Sequence, residues 1–350
     1  MRLILFIILA LTINLSLVKA QNENIVDTCN YALDVYSSEG IKELNIKSLH
    51  AKINIHNWDK ETVSVESTVK ILTPKLIVAE ELLALIEVEA KNTKDAINII
   101  TTLSKDFSST VPYEITHNIF VPEHVAFNIT NNHGNVVIPK TTSGVNLKLN
   151  YCSLIVNDIQ AELAETKNYL NLKFCKADIN LLGNASINSN SSEILITKCD
   201  SILLKSEYSN ISILDNRKLD GDTNLDKIQI DKTDNIILLG KYSAIKLDYF
   251  STDGKIELEE GKLNINGSSN NFSSLLISNN NTPTSIKLNP SASYIINGEV
   301  KDAKINHPNT SDLDLIKDNN KTSFSGVIGD NPNTNSRVIV FNKNKDITFD

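Results

Sequence analysis

The sequence predicts an all-β fold: a parallel β-solenoid with coils of about 17 residues, capped by N-terminal strands plus one short helix and by a C-terminal strand pair. Three observations carry that expectation. A short alternating pattern recurs along the middle of the chain, and its spacing is constant over five successive copies. Hairpin-type pairs such as Asp220-Gly221 and Asn266-Gly267 do not recur at every junction, as an antiparallel meander would require. With 350 residues, 41% of them hydrophobic and 22% charged, the chain can bury a core without disulfide or metal staples.

The first element is a leader, residues 1–20. Arg2 precedes an apolar run from Leu3 to Val18, interrupted by Thr12, Asn14 and Ser16, and Val18-Lys19-Ala20 places small residues at the −3 and −1 positions of a cleavage site. A transmembrane anchor needs about 20 apolar residues, and this run is shorter and interrupted. Cys29 follows Val26-Asp27-Thr28, which is no lipobox. The mature chain is therefore expected to be exported, periplasmic or extracellular, with no membrane span after cleavage.

Residues 21–110 read as a β-rich cap. Ile41 to Val69 alternates as two or three strands turning at Asn57-Trp58-Asp59, and Ala79 to Ile86 is the one convincing helical stretch. Residues 111–290 read as the solenoid. Its hexad runs any, small, any, apolar, any, apolar, with copies opening at His133, Tyr151, Phe174, Ser191, Tyr208, Leu225, Tyr242, Asp253 and Phe272. The fourth and sixth positions are residues such as Ile194/Ile196, Ile211/Ile213 and Ile228/Ile230; the second is Gly134, Cys152, Cys175, Ser192, Ser209, Asp226, Ser243, Gly254 and Ser273. From Phe174 to Tyr242 the interval is an unbroken 17.

Alternation with period two puts one face of each strand inside. A second alternating run precedes most copies, as at Leu170/Leu172, Ile202/Leu204 and Ile236/Leu238, so two strands and two turns fill one coil. The ends of the chain are expected to lack the repeat, because an open coil is a sticky edge. In residues 291–350, Asn306 to Asn320 reads as a polar loop, and Val338–Phe341 with Ile347–Phe349 as the closing pair of strands.

Charge excludes two partner classes. The formal net charge is −8, and removing Arg2 and Lys19 with the leader deepens it; Arg217 and Arg337 are the remaining guanidiniums. Neither nucleic acid nor a polybasic membrane contact is expected.

The residues that could carry chemistry each have a plainer reading. Cys152 and Cys175 share the second hexad position in neighbouring copies, and Cys199 falls in a turn region; they are read as buried free thiols, with a 152–175 bridge as the alternative in an exported protein. Asp220, Asp222, Asn224 and Asp226 alternate oxygens like a calcium loop, but Leu225 stands where the loop glycine belongs and Asp231 where a Glu belongs. The segment reads as a polar turn, with Asp226 either exposed or liganded, since an unpaired carboxylate at an inward position is costly. Asp178 and Glu193 are diagonal neighbours across coils, as paired glycosidase carboxylates could be, yet Lys176 is due beside Glu193 and makes a solvated charge ladder. His50 and His56 share strand parity without a third metal ligand. Asn is about one residue in eight, and the sequons at Asn128, Asn210 and Asn271 follow from that abundance. No catalytic, cofactor-binding or metal residue and no cofactor is assigned.

With these residues in place, the chain resembles the "putative adhesin" family of exported bacterial β-solenoid proteins. The features are Asn57-Trp58-Asp59 with Val63 and Val65, Tyr113-Glu114-Ile115 leading to Phe120-Val121-Pro122, His133-Gly134-Asn135-Val136, the Tyr-Ser-x-Ile of Tyr208 and Tyr242, and Phe324-Ser325-Gly326 with Gly329. The resemblance spans nearly the whole mature chain. It implies an exported all-β protein of unknown molecular function and no catalytic residues. Ser191-Ser192 and Leu225-Asp226 depart from the Tyr-Gly or Tyr-Ser corners of such proteins.

The expected function is a non-enzymatic, exported adhesin-like or structural module of the bacterial envelope or surface, meeting a surface polymer or protein partner. The alternative is a polysaccharide-active β-helix enzyme. Trp58, the single Trp, lies in the cap and is poor material for sugar stacking. The leader is tested by the intact mass of the exported protein, which should begin at Gln21; a membrane-bound species retaining residues 1–20 would refute cleavage.

Overall fold

The computed structural model describes the backbone of residues 27–37 and, in full, residues 40–160, 168–308 and 313–350. The leader lies outside them. The described strands join into one continuous, mostly parallel sheet wound as a solenoid. Lys176 pairs with Glu193, Glu193 with Asn210 and Asn210 with Lys227, each step one coil of 17 residues.

A coil is one long strand bent in the middle. In Glu193–Glu207 the alternation of inward and outward side chains breaks near Lys198 and resumes from Ile202, so one strand serves two faces. On the first face Ile194/Ile196, Ile211/Ile213 and Ile228/Ile230 point inward and are 0–2% exposed. On the second, Ile202/Leu204 and Ile236/Leu238 close the core from the opposite side. Ser212 and Gln229, one residue along, face outward.

The windows at Asp253 and Phe272 belong elsewhere in the coil. Ile256 pairs with Leu238 and Ile277, so both windows lie on the second face. The true successors of Tyr242 are Glu260-Gly261-Lys262-Leu263-Asn264-Ile265 and Asn281-Thr282-Pro283-Thr284-Ser285-Ile286, whose strands continue the Ile245/Leu247 row. Both faces alternate with period two, and an irregularity between Thr233 and Asn235 lengthens the coil, so apolar composition alone does not separate them.

The ends also carry the repeat, contrary to expectation. His50-Ala51-Lys52-Ile53-Asn54-Ile55 is a hexad whose strand pairs in parallel with Gly134–Val137. It was masked by the long insertion before His133. At the other end the strand Arg337–Lys343 slots between Ser274–Asn280 and Tyr294–Lys301. Val338–Phe341 and Ile347–Phe349 therefore form an inner coil, not the closing pair. The last strands are antiparallel, Lys321–Ile328 on Tyr294–Lys301 and Leu313–Asp318 beyond it, so a strand stands where the sequence read a polar loop. Every residue of Leu313–Asp318 except Leu313 is exposed, so no buried face imposes the alternation that marks a strand.

The N-terminal cap reverses direction likewise: Thr62–Ile71 lies antiparallel on Tyr113–Val121, and Asp27–Ser37 on Thr62–Ile71. Antiparallel outer strands break the parallel edge at both ends, which blunts coil-on-coil association. The helix spans Leu76–Leu83, three residues earlier than the sequence suggested, starting directly after Pro74-Lys75. Pro74 stops the preceding strand and leaves the next residues free to turn.

His117 organises the cap. It is fully buried, with Ser67 Oγ 2.8 Å from Nδ1, and Thr101 Oγ1 and Ser48 Oγ 3.0 and 3.3 Å from Nε2. A neutral imidazole donates from one nitrogen and accepts at the other, so the hydroxyls of three strands satisfy it. The Ser67–His117 contact has the reach of a nucleophile and base. Its burial gives it no substrate to meet. Burial holds the ring's pKa down to about 4 from 6.5. Between those values the unfolded chain binds a proton that the folded chain does not, so this contribution is complete above pH 6.5 and lost as pH falls toward 4. Denaturant titrations from pH 7 to pH 4 should lose on the order of 3 kcal/mol to this group, and His117→Gln should show a correspondingly shallower decline. Equal declines would show that His117 is not the linked group.

Candidate binding ridge at the coil corners

The residue opening each hexad is the corner of its coil, and there the chain turns through the left-handed region. His50, His133, Tyr151, Phe174, Ser191, Tyr208, Leu225, Tyr242 and Glu260 all have φ of 50–61°. For a bulky side chain this conformation costs about 1–2 kcal/mol. Backbone bonds between coils hold it: Phe174 N–H donates to Asn190 O at 2.9 Å, Ser191 to Glu207 at 2.9 Å, Tyr208 to Asn224 at 3.0 Å and Tyr242 to Glu259 at 2.9 Å.

The small second residue completes the corner from inside. The N–H of Cys175 donates to Ser192 Oγ at 3.0 Å, that of Ser192 to Ser209 Oγ at 3.2 Å, and that of Ser209 to Asp226 Oδ1 at 2.6 Å. Asp226 N–H in turn donates to Ser243 Oγ at 3.2 Å. Each hydroxyl also donates back to the carbonyl two residues earlier, as Ser209 does to Glu207 at 3.0 Å and Ser243 to Lys241 at 2.9 Å. The row is thus a hydrogen-bonded ladder of oxygens. Where the corner backbones approach most closely it requires glycine: a Cβ on Gly134 would lie 2.1 Å from Ala51 O.

Asp226 is liganded by the protein itself. Its carboxylate accepts Ser209 N–H and, at 3.0 Å, Asn224 N–H. Burial raises its pKa, and those N–H groups pull it back. Asp220 and Asp222 project outward from the strand Asn210–Asn224 while Asp226 points inward, so the alternating oxygens do not converge. No group of three or more His, Cys, Asp or Glu that could hold a metal occurs among the described residues.

Cys152, Cys175 and Cys199 are buried free thiols. Burial pushes Cys152 up to about 11 and Cys199 up to about 12, and raises Cys175, so none is a ready thiolate at neutral pH. Cys199 lies within the strand Glu193–Glu207, inside the second bend, not in a loop. Glu193 sits beside Lys176 with 3.6 Å between charged atoms, whereas Asp178 is flanked by Ile155 and Leu195. The two carboxylates thus sit two register positions apart on neighbouring strands, each with a different partner across the ladder. His50 is a corner residue, and His56 stacks on Phe120 at 5.0 Å, so they share no site. Trp58 donates its Nε1–H to Thr62 O at 2.6 Å and lies under Lys60 Nζ, within the cap. Asn128, Asn210 and Asn271 are exposed.

The corner side chains themselves form a ridge that the sequence reading passed over. A left-handed residue throws its side chain out of the coil, and successive corners lie one strand spacing apart. His50 stacks on His133 at 4.9 Å between ring centroids, His133 on Tyr151 at 4.8 Å and Tyr151 on Phe174 at 4.7 Å, all within 5° of parallel. Tyr113 meets His50 edge-on, and Phe107 meets Tyr113. Beyond Ser191 the row continues with Tyr208, Leu225 and Tyr242. Tyr151, Phe174, Tyr208 and Tyr242 are about half exposed, at 47–57%. The signal in the sequence is the first hexad position, which is aromatic in most of the copies up to Tyr242.

Beside the ridge runs a polar row from the residue preceding each corner. Asn150 Nδ2 donates to Asn132 Oδ1 at 2.9 Å, and Glu207 accepts Asn190 Nδ2 at 3.4 Å and Asn224 Nδ2 at 3.1 Å. Part of the chain's asparagine excess is spent on such ladders; Asn45–Asn98 and Asn54–Asn118 repeat the contact in the cap.

No family model and no curated protein matches the chain. Solved structures similar to it include the following three. One is a "putative cell adhesion protein" from Clostridium sporogenes ATCC 15579, 9% identical over 92% of this chain and 99% of that one, with a TM-score of 0.20. The second is a "putative adhesin" from Parabacteroides distasonis ATCC 8503, 12% identical over 75% and 92%, with a TM-score of 0.24. The third is a "putative adhesin" from Parabacteroides merdae ATCC 43184, 11% identical over 93% and 95%, with a TM-score of 0.25. Scores this low carry no functional information.

The oxygen ladder yields a direct test. Asp226→Ala removes the acceptor of two N–H groups and should cost about 2 kcal/mol in denaturant unfolding, whereas Asp226→Ser restores the ladder's usual hydroxyl and should cost less than about 1 kcal/mol. Equal losses would mean that the rung does not depend on an oxygen acceptor.

Proposed function

We propose that the chain is an exported, non-enzymatic, adhesin-like module that holds a surface polymer along its corner ridge. The observation supporting this is the row of half-exposed aromatic side chains beside a row of amides and carboxylates, repeated at one coil spacing. Rings offer apolar contact worth roughly 0.5–1.5 kcal/mol per pair, and the amides offer donors and acceptors to hydroxyls. A polymer has its own repeat, so many weak contacts sum along a rigid scaffold. The outward carboxylates support binding over turnover, because Glu193, Glu259 and Asp215 each stand against a lysine on a neighbouring coil instead of facing one another across a cleft.

The test replaces Tyr151, Tyr208 and Tyr242 together by Ser, the residue that already occupies the same backbone at position 191. Retention of the mature protein on insoluble polysaccharides and bacterial envelope fractions should fall at least about tenfold, with the melting curve preserved. Undiminished retention would refute the ridge as the binding surface. Polysaccharide cleavage that disappears in Asp178→Asn or Glu193→Gln would replace the binding reading with the enzymatic one.

A further inference from the structure

The ridge has one rung missing. Ser191 stands between Phe174 and Tyr208, and its corner backbone matches theirs, with φ of 50° against 52° and 55°. The rings on either side are thus two coil spacings apart, about 9.6 Å, with only a hydroxymethyl group at the floor. Leu225, between Tyr208 and Tyr242, fills its own rung with an apolar side chain that is 42% exposed. Open cavities flank the gap on both sides, one of about 590 Å³ bordered by Lys176, Glu193 and Asn210, the other of about 560 Å³ bordered by Asn190, Glu207 and Asn224.

We infer that the Ser191 gap is a subsite for a single neutral pyranose ring, stacked between Phe174 and Tyr208. The inference deepens the polymer-binding reading and rests on it. A pyranose chair placed midway has its mean plane about 4.8 Å from each neighbour, the spacing at which this ladder already stacks. What selects a sugar over an aromatic side chain is the rim. Ser191 Oγ donates to Asn190 Oδ1 at 3.1 Å, and Glu207 is held between the amides of Asn190 and Asn224. On the other side Lys176 and Glu193 are 3.6 Å apart, a loose ion pair. A pyranose presents apolar C–H faces to the two rings and hydroxyls around its edge to these groups. A phenyl ring would satisfy the faces and leave the polar rim without new partners.

Saturation-transfer NMR on the mature protein with millimolar methyl β-D-glucopyranoside and methyl β-D-galactopyranoside tests the assignment. Ser191→Phe inserts a ring into the gap on a backbone that already accepts Phe at position 174, and Phe174→Ser removes one wall. Each should cut transfer to the glycoside roughly tenfold, while Ser212→Phe, which adds a ring on the outer face away from the corner, should leave it unchanged. No transfer to either glycoside in the wild type, or transfer indifferent to Ser191→Phe and Phe174→Ser, overturns the subsite. So does stronger transfer to N-acetyl-phenylalaninamide, which would assign the gap to an aromatic side chain. Failure of the subsite is distinguishable from failure of the ridge: in the first case the triple Tyr→Ser variant still loses polymer retention, and in the second it retains polymer while the glycoside still responds to Ser191→Phe.

Discussion

The left-handed corner is the constraint on which the rest of this structure depends. A coil must reverse direction within one or two residues while its strands stay in register with the coils on either side. One residue at φ of 50–61° does this, and the next residue returns to the strand. The conformation is unfavourable for Tyr, Phe or Leu. It persists because each corner N–H reaches the carbonyl of the following coil, and each second-position oxygen takes an N–H from the coil before. A corner is therefore stable only next to another corner, which couples the coils and makes the solenoid cooperative along its axis.

That coupling explains what could be read from the sequence. Between Phe174 and Tyr242 every coil has the same length, so inward residues such as Ile194, Ile211 and Ile228 recur at equal intervals and reveal both the period and the buried parity. Beyond Tyr242 the coils lengthen, and alternation by itself does not report which face a strand lies on. The windows at Asp253 and Phe272 were assigned to the first face for that reason, although Glu260 and Asn281 carry the left-handed turn. The C-terminal topology was beyond any local pattern. Strand Arg337–Lys343 enters between two earlier strands, and sequence distance says nothing of that order. His50 illustrates the same limit at the other end, since its hexad is complete but lies far from the next.

Of the candidate site, the inward half was legible and the outward half was not. Small residues at the second position follow from the space inside a corner, so Ser192, Ser209 and Ser243 announced themselves. Asp226, expected to be either exposed or liganded, is one more oxygen in that row, because backbone N–H groups occupy its carboxylate. The aromatic row was hidden by the assumption that an outward residue is free to vary. In an in-register stack of coils that assumption fails, because equivalent outward side chains land on one another at the strand spacing: Lys176 meets Glu193 on the strand face, and at the left-handed corners His133, Tyr151 and Phe174 become a single surface.

The choice of residue at these corners then becomes informative. Asn and Asp tolerate the left-handed region better than Tyr or Phe do, and the chain uses them at Asn281, Asp302, Asn319 and Asn344, where the ridge nears the C-terminal cap. Elsewhere the same backbone carries His50 and His133, which tolerate it, and Tyr151, Phe174, Tyr208 and Tyr242, which cost more stability there and leave apolar surface in water. Stacking offsets part of this from His50 to Phe174, where the rings touch. Among the described residues Tyr208 and Tyr242 stack on no ring, their corner neighbours being Ser191 and Leu225, and both remain more than half exposed. Asn would meet the backbone's demand at lower cost, so on the reading proposed above Tyr208 and Tyr242 are the rings left open to a polymer, and the polar corners beyond Tyr242 mark where such a contact would end.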